Sequence, residues 1–283
     1  MRIAIVGGGI SGLTAAHHLA AEHHVALFEA NSYLGGHTNT VAVDIGDEQH
    51  QIDTGFIVFN DRTYPNFTKL LAELGVAAKP TEMSFSVRDD RANFEYNGHS
   101  LRTLFAQKRN LLRPSFHHML LDIVRFNRVT SAADRSVASE TVKEFVNRHR
   151  FSSAFTEHYL LPMGSAIWSC PRRCFADFPI GFVFEFFRNH GLLSLRDRPT
   201  WSVFEGGSQT YVRALSATFS AAVRLNSPVE SVVRTHEGVV LRSSSHREEA
   251  FDHVIFACHS DQALRILGDD ATPLERNTLS AFP

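Results

Sequence analysis

The sequence predicts an α/β chain: a parallel sheet grown from a strand–turn–helix–strand unit, with a mainly helical α+β insertion in its middle. Three observations predict it. A short apolar run, Arg2–Val6, passes directly into a glycine cluster and then into a helical pattern. Further strand-like runs return near the end, at Ser227–Val233, Val239–Arg242 and His253–Cys258. Between these parts, Tyr64 to Trp201 carries helical stretches and only two short strand candidates. Runs of one kind enclosing runs of another argue for a discontinuous first domain, residues 1–63 and 202–283, around a second, residues 64–201.

The opening unit is the most informative part of the chain. Arg2–Val6 suits a buried parallel strand. Gly7, Gly9 and Gly12 then give a G-x-G-x-x-G pattern, a helix is expected over Leu13–Ala21, and Val25–Phe28 reads as a second strand closed by Glu29. Each part has a physical task in holding a dinucleotide. Gly7 permits the tight turn, Gly9 removes a Cβ so that backbone can approach a diphosphate, and Gly12 lets helix and strand pack closely. The helix start offers free N–H groups and partial positive charge to phosphate. Glu29, 17 residues beyond Gly12, is placed to accept hydrogen bonds from ribose hydroxyls, and an acid there disfavours a 2′-phosphate. A Rossmann-type dinucleotide site follows, with NADP disfavoured.

Within the insertion, helices are expected over Asn66–Leu74, Pro114–Phe126, Thr141–His149 and Phe178–Asn189, and strands at Phe85–Val87 and Asn93–Tyr96. Later, a helix is expected from Thr210 to Phe219, and Val239–Arg242 as the hairpin partner of Ser227–Val233 with its turn around Glu237–Gly238.

Composition narrows the function classes. A formal net charge of −2 gives no bulk attraction to nucleic acid. Cys170, Cys174 and Cys258 make no disulfide framework, which fits a reducing cytoplasm. The histidines are scattered and supply no ligand pair at zinc spacing, so no metal is expected. No run reaches the roughly 18 apolar residues of a membrane span. Arg2 and the small-apolar stretch after it imitate a signal peptide, but glycines at 7, 8, 9 and 12 would each weaken a signal helix by about 1 kcal/mol. The 23 Phe against 5 Tyr and 2 Trp point to an apolar interior or an apolar substrate channel.

Beyond Glu29 the chain resembles the superfamily of flavin amine oxidases, protoporphyrinogen oxidases and phytoene desaturases. The resemblance is carried by Glu29-Ala30-Asn-Ser-Tyr-Leu-Gly35-Gly36-His37-Thr38, by Asp53-Thr54-Gly55-Phe56-Ile57 and by Phe204-Glu-Gly-Gly-Ser-Gln-Thr-Tyr211. It implies FAD on a glutathione-reductase-like domain with an inserted cap. By that likeness Ile10, Ser11, Ala30, Gly35, Gly36, His37 and Thr38 join Gly7, Gly9, Gly12 and Glu29 at the cofactor. Thr54, Gly55, Phe56 and Ile57 lie toward the flavin, the Val229 backbone pairs with the adenine edge, and Ala257 ends the strand returning to the phosphates. His37 stands where the family commonly has Arg, and Cys258-His259 replaces a small residue followed by Pro.

Further segments, Thr63-Tyr-Pro-Asn66, Met83–Val87 and Leu104–Asn110, are similar to the FAD-dependent oxidoreductase found ahead of plant cyclopropane-fatty-acid synthases and as a separate bacterial protein. That likeness implies a small-molecule or lipid-linked substrate and a synthase-type partner. In the superfamily a last strand, a Gly-Asp turn and a helix return to the cofactor. No such segment precedes Pro283, and Gly268-Asp269 follows a helix end and precedes a Pro-bearing loop, so a truncated chain with weakened FAD binding is expected.

Three functions stay open at this point. The first is an FAD-dependent oxidoreductase taking hydride from an apolar substrate, the second an amine oxidase, and the third a non-catalytic FAD-binding partner of a lipid-modifying enzyme. No catalytic residue is named; Tyr159, Trp168 and Ser169 are candidates for the substrate side, with packing the plainer role. Lys108, Arg109 and Arg113, beside Leu111, Leu112 and Phe116, suggest a peripheral membrane contact, against a solvated basic face.

Overall fold

The computed structural model describes residues 1–132, 140–193, 199–219, 221–244 and 248–281. In chain order, β1 (Arg2–Val6), α1 (Ile10–Leu19) and β2 (His24–Phe28) form the opening unit, followed by a hairpin of β3 (Thr40–Ile45) and β4 (Glu48–Asp53). Next come α2 (Pro65–Glu73), β5 (Ala78–Thr81), β6 (Ser86–Asp89), β7 (Phe94–Asn97) and α3 (Leu101–Leu104). A 3₁₀ turn, Lys108–Leu112, leads into α4 (Pro114–Ala132), then α5 (Val142–Arg148) and α6 (Ser153–Phe155). A π-turn over Thr156–Leu160 joins α6 to α7 (Leu161–Ile167), before α8 (Arg172–Ala176) and α9 (Ile180–Asn189). The chain closes with β8 (Trp201–Phe204), α10 (Gln209–Ser216), β9 (Ala222–Arg224), β10 (Val229–Thr235), β11 (Gly238–Ser243), β12 (Glu248–Phe251), β13 (His253–Phe256), α11 (Ser260–Leu267) and α12 (Pro273–Leu279).

Two compact units result. The first comprises Met1–Phe59, Pro65–Pro80 and Ser202–Pro283; the second comprises Asn60–Tyr64 and Thr81–Trp201. The expected division placed everything from residue 64 to 201 together, whereas α2 packs in the first unit. Phe67 explains this, since its ring meets Phe56, Phe59, Phe204 and Tyr211 edge-on at 5.3–6.0 Å.

In the first unit the parallel sheet runs β13-β1-β2-β9, with Ile3 opposite His253 and Val25. Both central strands are buried along four of five positions, as a sheet covered on both faces requires. A separate antiparallel sheet, β10-β11-β12, closes over Ala4, Val6, Ala26 and Phe28 through Val232, Leu241 and Phe251. The sequence revealed two of its strands; β12 is too short and too charged to signal itself. Its hairpin turn falls at His236–Glu237, because Thr235 pairs with Gly238. The β3–β4 hairpin was likewise unforeseen, since its strands are mostly exposed and carry no buried alternation. After α11 the expected Pro-bearing loop is instead a 3₁₀ turn and α12, which Thr272 and Glu275 cap reciprocally with Pro273 at the first turn.

In the second unit the phenylalanines make the core. Phe116, Phe126, Phe145, Phe155, Phe175 and Phe187 are fully buried, and the Phe126 ring contacts Phe145, Phe151, Phe155, Phe184 and Phe187 within 6.2 Å. Each such ring contributes about 1.5–3 kcal/mol by leaving water. Phe116 therefore corrects one expectation, because it points into this core and takes no part in a basic surface. Tyr159, Trp168 and Ser169 also fall in this unit. Tyr159 is buried against Phe85 and Phe155, Trp168 stacks on Phe175 at 5.4 Å, and Ser169, two residues after α7, lies in the left-handed region at φ 48. Among the described residues, no helix is long and apolar enough to cross a membrane.

Candidate dinucleotide site

The glycine turn lies at the carboxyl end of β1, between its two neighbours in the sheet. Gly7 takes φ 110, and its N–H donates to Phe28 O at 2.8 Å. A Cβ at Gly7 would stand 2.6 Å from Ala257 O, at the end of β13. One at Gly12 would stand 1.9 Å from Gly7 O, so α1 presses onto the turn closely enough that only glycine fits. Gly9 is unlike both. Its backbone is extended at φ −75, ψ −177, and an added Cβ would meet nothing nearer than Gly36 Cα at 3.9 Å. What glycine provides there is open space in front of the helix.

That helix begins earlier than the sequence pattern suggested, at Ile10 instead of Leu13, because Leu13 N–H already bonds Gly9 O at 2.9 Å. The N–H groups of Ile10, Ser11 and Gly12 therefore precede the helical ladder, and no side chain caps Gly9. A ten-residue helix thus opens its positive end onto the space that Gly9 leaves clear.

Glu29 is buried beside this turn, with a relative exposure of 6%. One carboxylate oxygen accepts from Gly8 N–H and the other from Asn31 N–H, both at 2.7 Å. Each oxygen keeps a further acceptor position, so the charge is satisfied within the fold and can still receive hydroxyl donors. The backbone around it is pinned by Glu29 N–H to Arg224 O at 2.9 Å and by Ser227 N–H to Glu29 O at 2.8 Å. The second of these contacts brings the start of β10, and with it half-buried Val229, close to the end of β2. Ala30 is exposed next to Glu29.

The loop after Asn31 turns back onto the glycines. Gly35 N–H donates to Gly8 O at 2.9 Å, and Gly35 bridges Gly9 in parallel. Gly36, at φ 57, comes so close that its Cβ would lie 3.0 Å from Gly9 Cα. Thr38 is buried, its hydroxyl bonded to Tyr211 of α10, and burial pushes the Tyr211 hydroxyl pKa up despite that bond. Asp53 ties the β4 end to the same helix, accepting from Ser208 N–H at 2.8 Å, Ser208 Oγ at 2.7 Å and Thr40 Oγ1 at 2.6 Å. Thr54 N–H reaches Asn39 O at 2.9 Å, and a Cβ at Gly55 would overlap His37 O at 1.8 Å. Residues 53–57 thus lie flat against residues 37–40, with Phe56 turned to Phe67 and Ile57 half-exposed.

Of the residues singled out from sequence, the fold brings together Gly7, Gly9, Ile10, Ser11, Gly12, Glu29, Gly35, Gly36, His37, Thr38, Gly55 and Ala257 around one turn. Val229 joins only through the Ser227–Glu29 contact. The structure adds Gly8, Asp53, Ser208 and Tyr211 as the groups that fix these loops. It also joins the two departures from the family pattern, since His37 and His259 stack with centroids 5.3 Å apart and planes 7° from parallel. The His259 backbone N–H donates to the Gln262 side chain at 3.2 Å at the start of α11. Nothing in the sequence links positions 37 and 259. Burial pushes the neighbouring Cys258 thiol pKa up.

These groups suit a dinucleotide: donors for a diphosphate at the α1 start, a satisfied acid for a ribose, and two glycines meeting where backbone must pass close to a ligand. The comparisons agree. The sequence profile of the family described as flavin containing amine oxidoreductase matches residues 10–282. An L-amino-acid oxidase of Mus musculus is 26% identical over 299 residues, covering 99% of this chain and 43% of its own length. Cyclohexylamine oxidase from Brevibacterium oxydans IH-35A superposes with a TM-score of 0.75 at 19% identity, over 99% of this chain and 62% of that one. Putrescine oxidase bound to putrescine superposes with a TM-score of 0.71 at 20% identity, over 99% and 63%. The chain thus spans less than two thirds of the length of each of these relatives. With a profile match over nearly its whole length, this chain belongs to the flavin containing amine oxidoreductase family, and its cofactor is FAD.

Proposed function

We propose that the chain is the FAD-holding part of an FAD-dependent oxidoreductase that takes a hydride from an apolar, lipid-linked substrate. The observation that carries this reading is the meeting of the open Gly9, the uncapped α1 start and Glu29 at one turn. In this assignment the N–H groups of Ile10, Ser11 and Gly12 hold the diphosphate, and Glu29 with Ala30 faces the ribose. Gly35, Gly36, His37 and Thr38 follow the diphosphate outward, with His37 donating a ring N–H to phosphate. Thr54, Gly55, Phe56 and Ile57 border the flavin, and the Val229 backbone meets adenine. Bound FAD supplies the hydride acceptor, while the protein positions the donor carbon and excludes water.

The second unit fits the part of a cap inserted into the FAD domain, with its apolar, Phe-rich composition as support. A cyclopropane-fatty-acid synthase-type partner, or contact with a membrane surface, would deliver an acyl-lipid substrate. The same reading takes the protein to be cytoplasmic, supported by three unpaired cysteines. Oxidation of an amine is the second reading, favoured by the relatives, which are named as oxidases of an amino acid and of amines.

Anaerobic reduction of the bound flavin by candidate donors tests both. Bleaching of flavin absorbance by unsaturated phospholipids is the expected result. Bleaching by amines alone would replace the first reading with the second. No bleaching by any donor would remove both and leave a non-catalytic FAD-binding subunit.

A further inference from the structure

We propose that residues 97–121, wholly within the second unit, form a docking surface for the anionic phospholipids of a bilayer. It rests on the lipid-linked reading above for its purpose, while its test needs no flavin reduction, so the two can fail separately. In a chain of net charge −2, this segment holds Arg102, Lys108, Arg109 and Arg113 and no Asp or Glu. Several arginines elsewhere are neutralised in place: Arg125 pairs with Asp122, Arg148 with Glu140, and Arg234 with Asp270 and Glu275. Among the described residues, none of the four cations of the segment forms an ion pair. Arg109 spends its guanidinium on Asn93 Oδ1 at 2.7 Å, and Arg113 on the carbonyls of Ala92 and Asn93 at 3.4 Å, so their charge stays uncompensated.

Apolar side chains stand among these charges. In the 3₁₀ turn Lys108–Leu112, Leu111 is 53% and Leu112 89% exposed, and Leu101 is 78% exposed beside Arg102 in α3. Their exposure is built into the fold. Asn110 is fully buried and donates to Glu95 O at 2.9 Å, the Leu111 carbonyl is held by the His117 ring at 2.9 Å, and Phe105 packs on Phe116 at 5.5 Å. The knuckle is therefore clamped to β7 and α4 from inside, and its leucines cannot fold back.

Cations interleaved with exposed leucines match the layered chemistry of a bilayer surface, with negative headgroups above an acyl boundary. Nucleic acid offers charge but no apolar layer, and its unpaired bases favour aromatic platforms, which this knuckle does not expose.

Co-sedimentation of the full chain with phosphatidylglycerol and with phosphatidylcholine vesicles, at low and high salt, tests the surface. Binding to the anionic vesicles, weakened by salt and absent from the neutral ones, is expected. Lys108→Glu should weaken partitioning about five-fold or more, from the charge contribution of one basic side chain. Leu112→Asp should reduce it at least as far, and Leu274→Asp, at another exposed leucine in α12 of the first unit, should leave it unchanged. Thermal melts unchanged in Leu112→Asp and Lys108→Glu would assign the losses to the surface. No binding to anionic vesicles at low salt, equal binding to neutral ones, or binding indifferent to Lys108→Glu and Leu112→Asp would each overturn the proposal. So would these substitutions abolishing binding of single-stranded DNA while leaving vesicle binding intact.

Discussion

Substituting Gly9 by alanine should separate ligand binding from folding. Gly9 has an extended backbone open to any residue, and the new methyl would meet only Gly36 Cα, at the ordinary contact distance of 3.9 Å. The apo fold should therefore tolerate it, and the lower entropy of the unfolded chain should add about 0.4–1 kcal/mol of stability. The same methyl narrows the gap between Gly9 and Gly36 beside the α1 start. If the FAD diphosphate approaches there, at least one charge-assisted hydrogen bond is lost, which costs about 1.5–3 kcal/mol. That corresponds to roughly 10- to 150-fold weaker FAD binding. Titration of apoprotein with FAD, followed by flavin fluorescence, reads the affinity, and denaturant unfolding reads the stability. Gly12→Ala is the contrasting case, because its Cβ would overlap Gly7 O at 1.9 Å and should destabilise the apo fold by about 1–3 kcal/mol or more. FAD affinity in Gly9→Ala within two-fold of the parent, or a fold as damaged as in Gly12→Ala, would refute the reasoning.

Three other perturbations follow from the same contacts. Asp53→Ala removes the acceptor for the Ser208 N–H, the Ser208 hydroxyl and the Thr40 hydroxyl, and should cost about 1.5–3 kcal/mol in denaturant unfolding. Gly164→Ala places a methyl 2.1 Å from the Phe175 ring in the core of the second unit and should cost about 1–3 kcal/mol, whereas an unchanged midpoint would show that the ring has room to move. Burial on Phe94 holds the His158 imidazole pKa below its ordinary value, outweighing Asp89 at 3.8 Å. The unfolded chain then binds the extra proton, so this contribution is complete above about pH 6.5 and is lost as pH falls through the folded value. His158→Gln should flatten the stability profile between pH 7 and 5, and a profile as steep as the parent's would contradict the assignment.

The parts of the fold legible in the sequence are those whose physics is local. Arg2–Val6 and His24–Phe28 are buried on both faces and so appear as continuous apolar runs. Gly7 and Gly12 announce themselves because no other residue fits. The illegible parts depend on distant partners. The β3–β4 hairpin is exposed and without pattern, and α2 joins the first unit through Phe67, whose ring partners range from residue 56 to residue 211. The helix start at Ile10 followed from a Gly9 backbone bond that no side chain signals. The stacking of His37 on His259 belongs to the same class, because only the return of β13 beside β1 brings those rings together.

The central claim is that this chain grips the ADP half of FAD through the turn at Gly7–Gly12 and Glu29. Competition binding tests it most directly, with FAD held on the apoprotein and displaced in turn by ADP and by FMN. Displacement by ADP and none by FMN at equal concentration is the expected result. Displacement by FMN with ADP inert would contradict it.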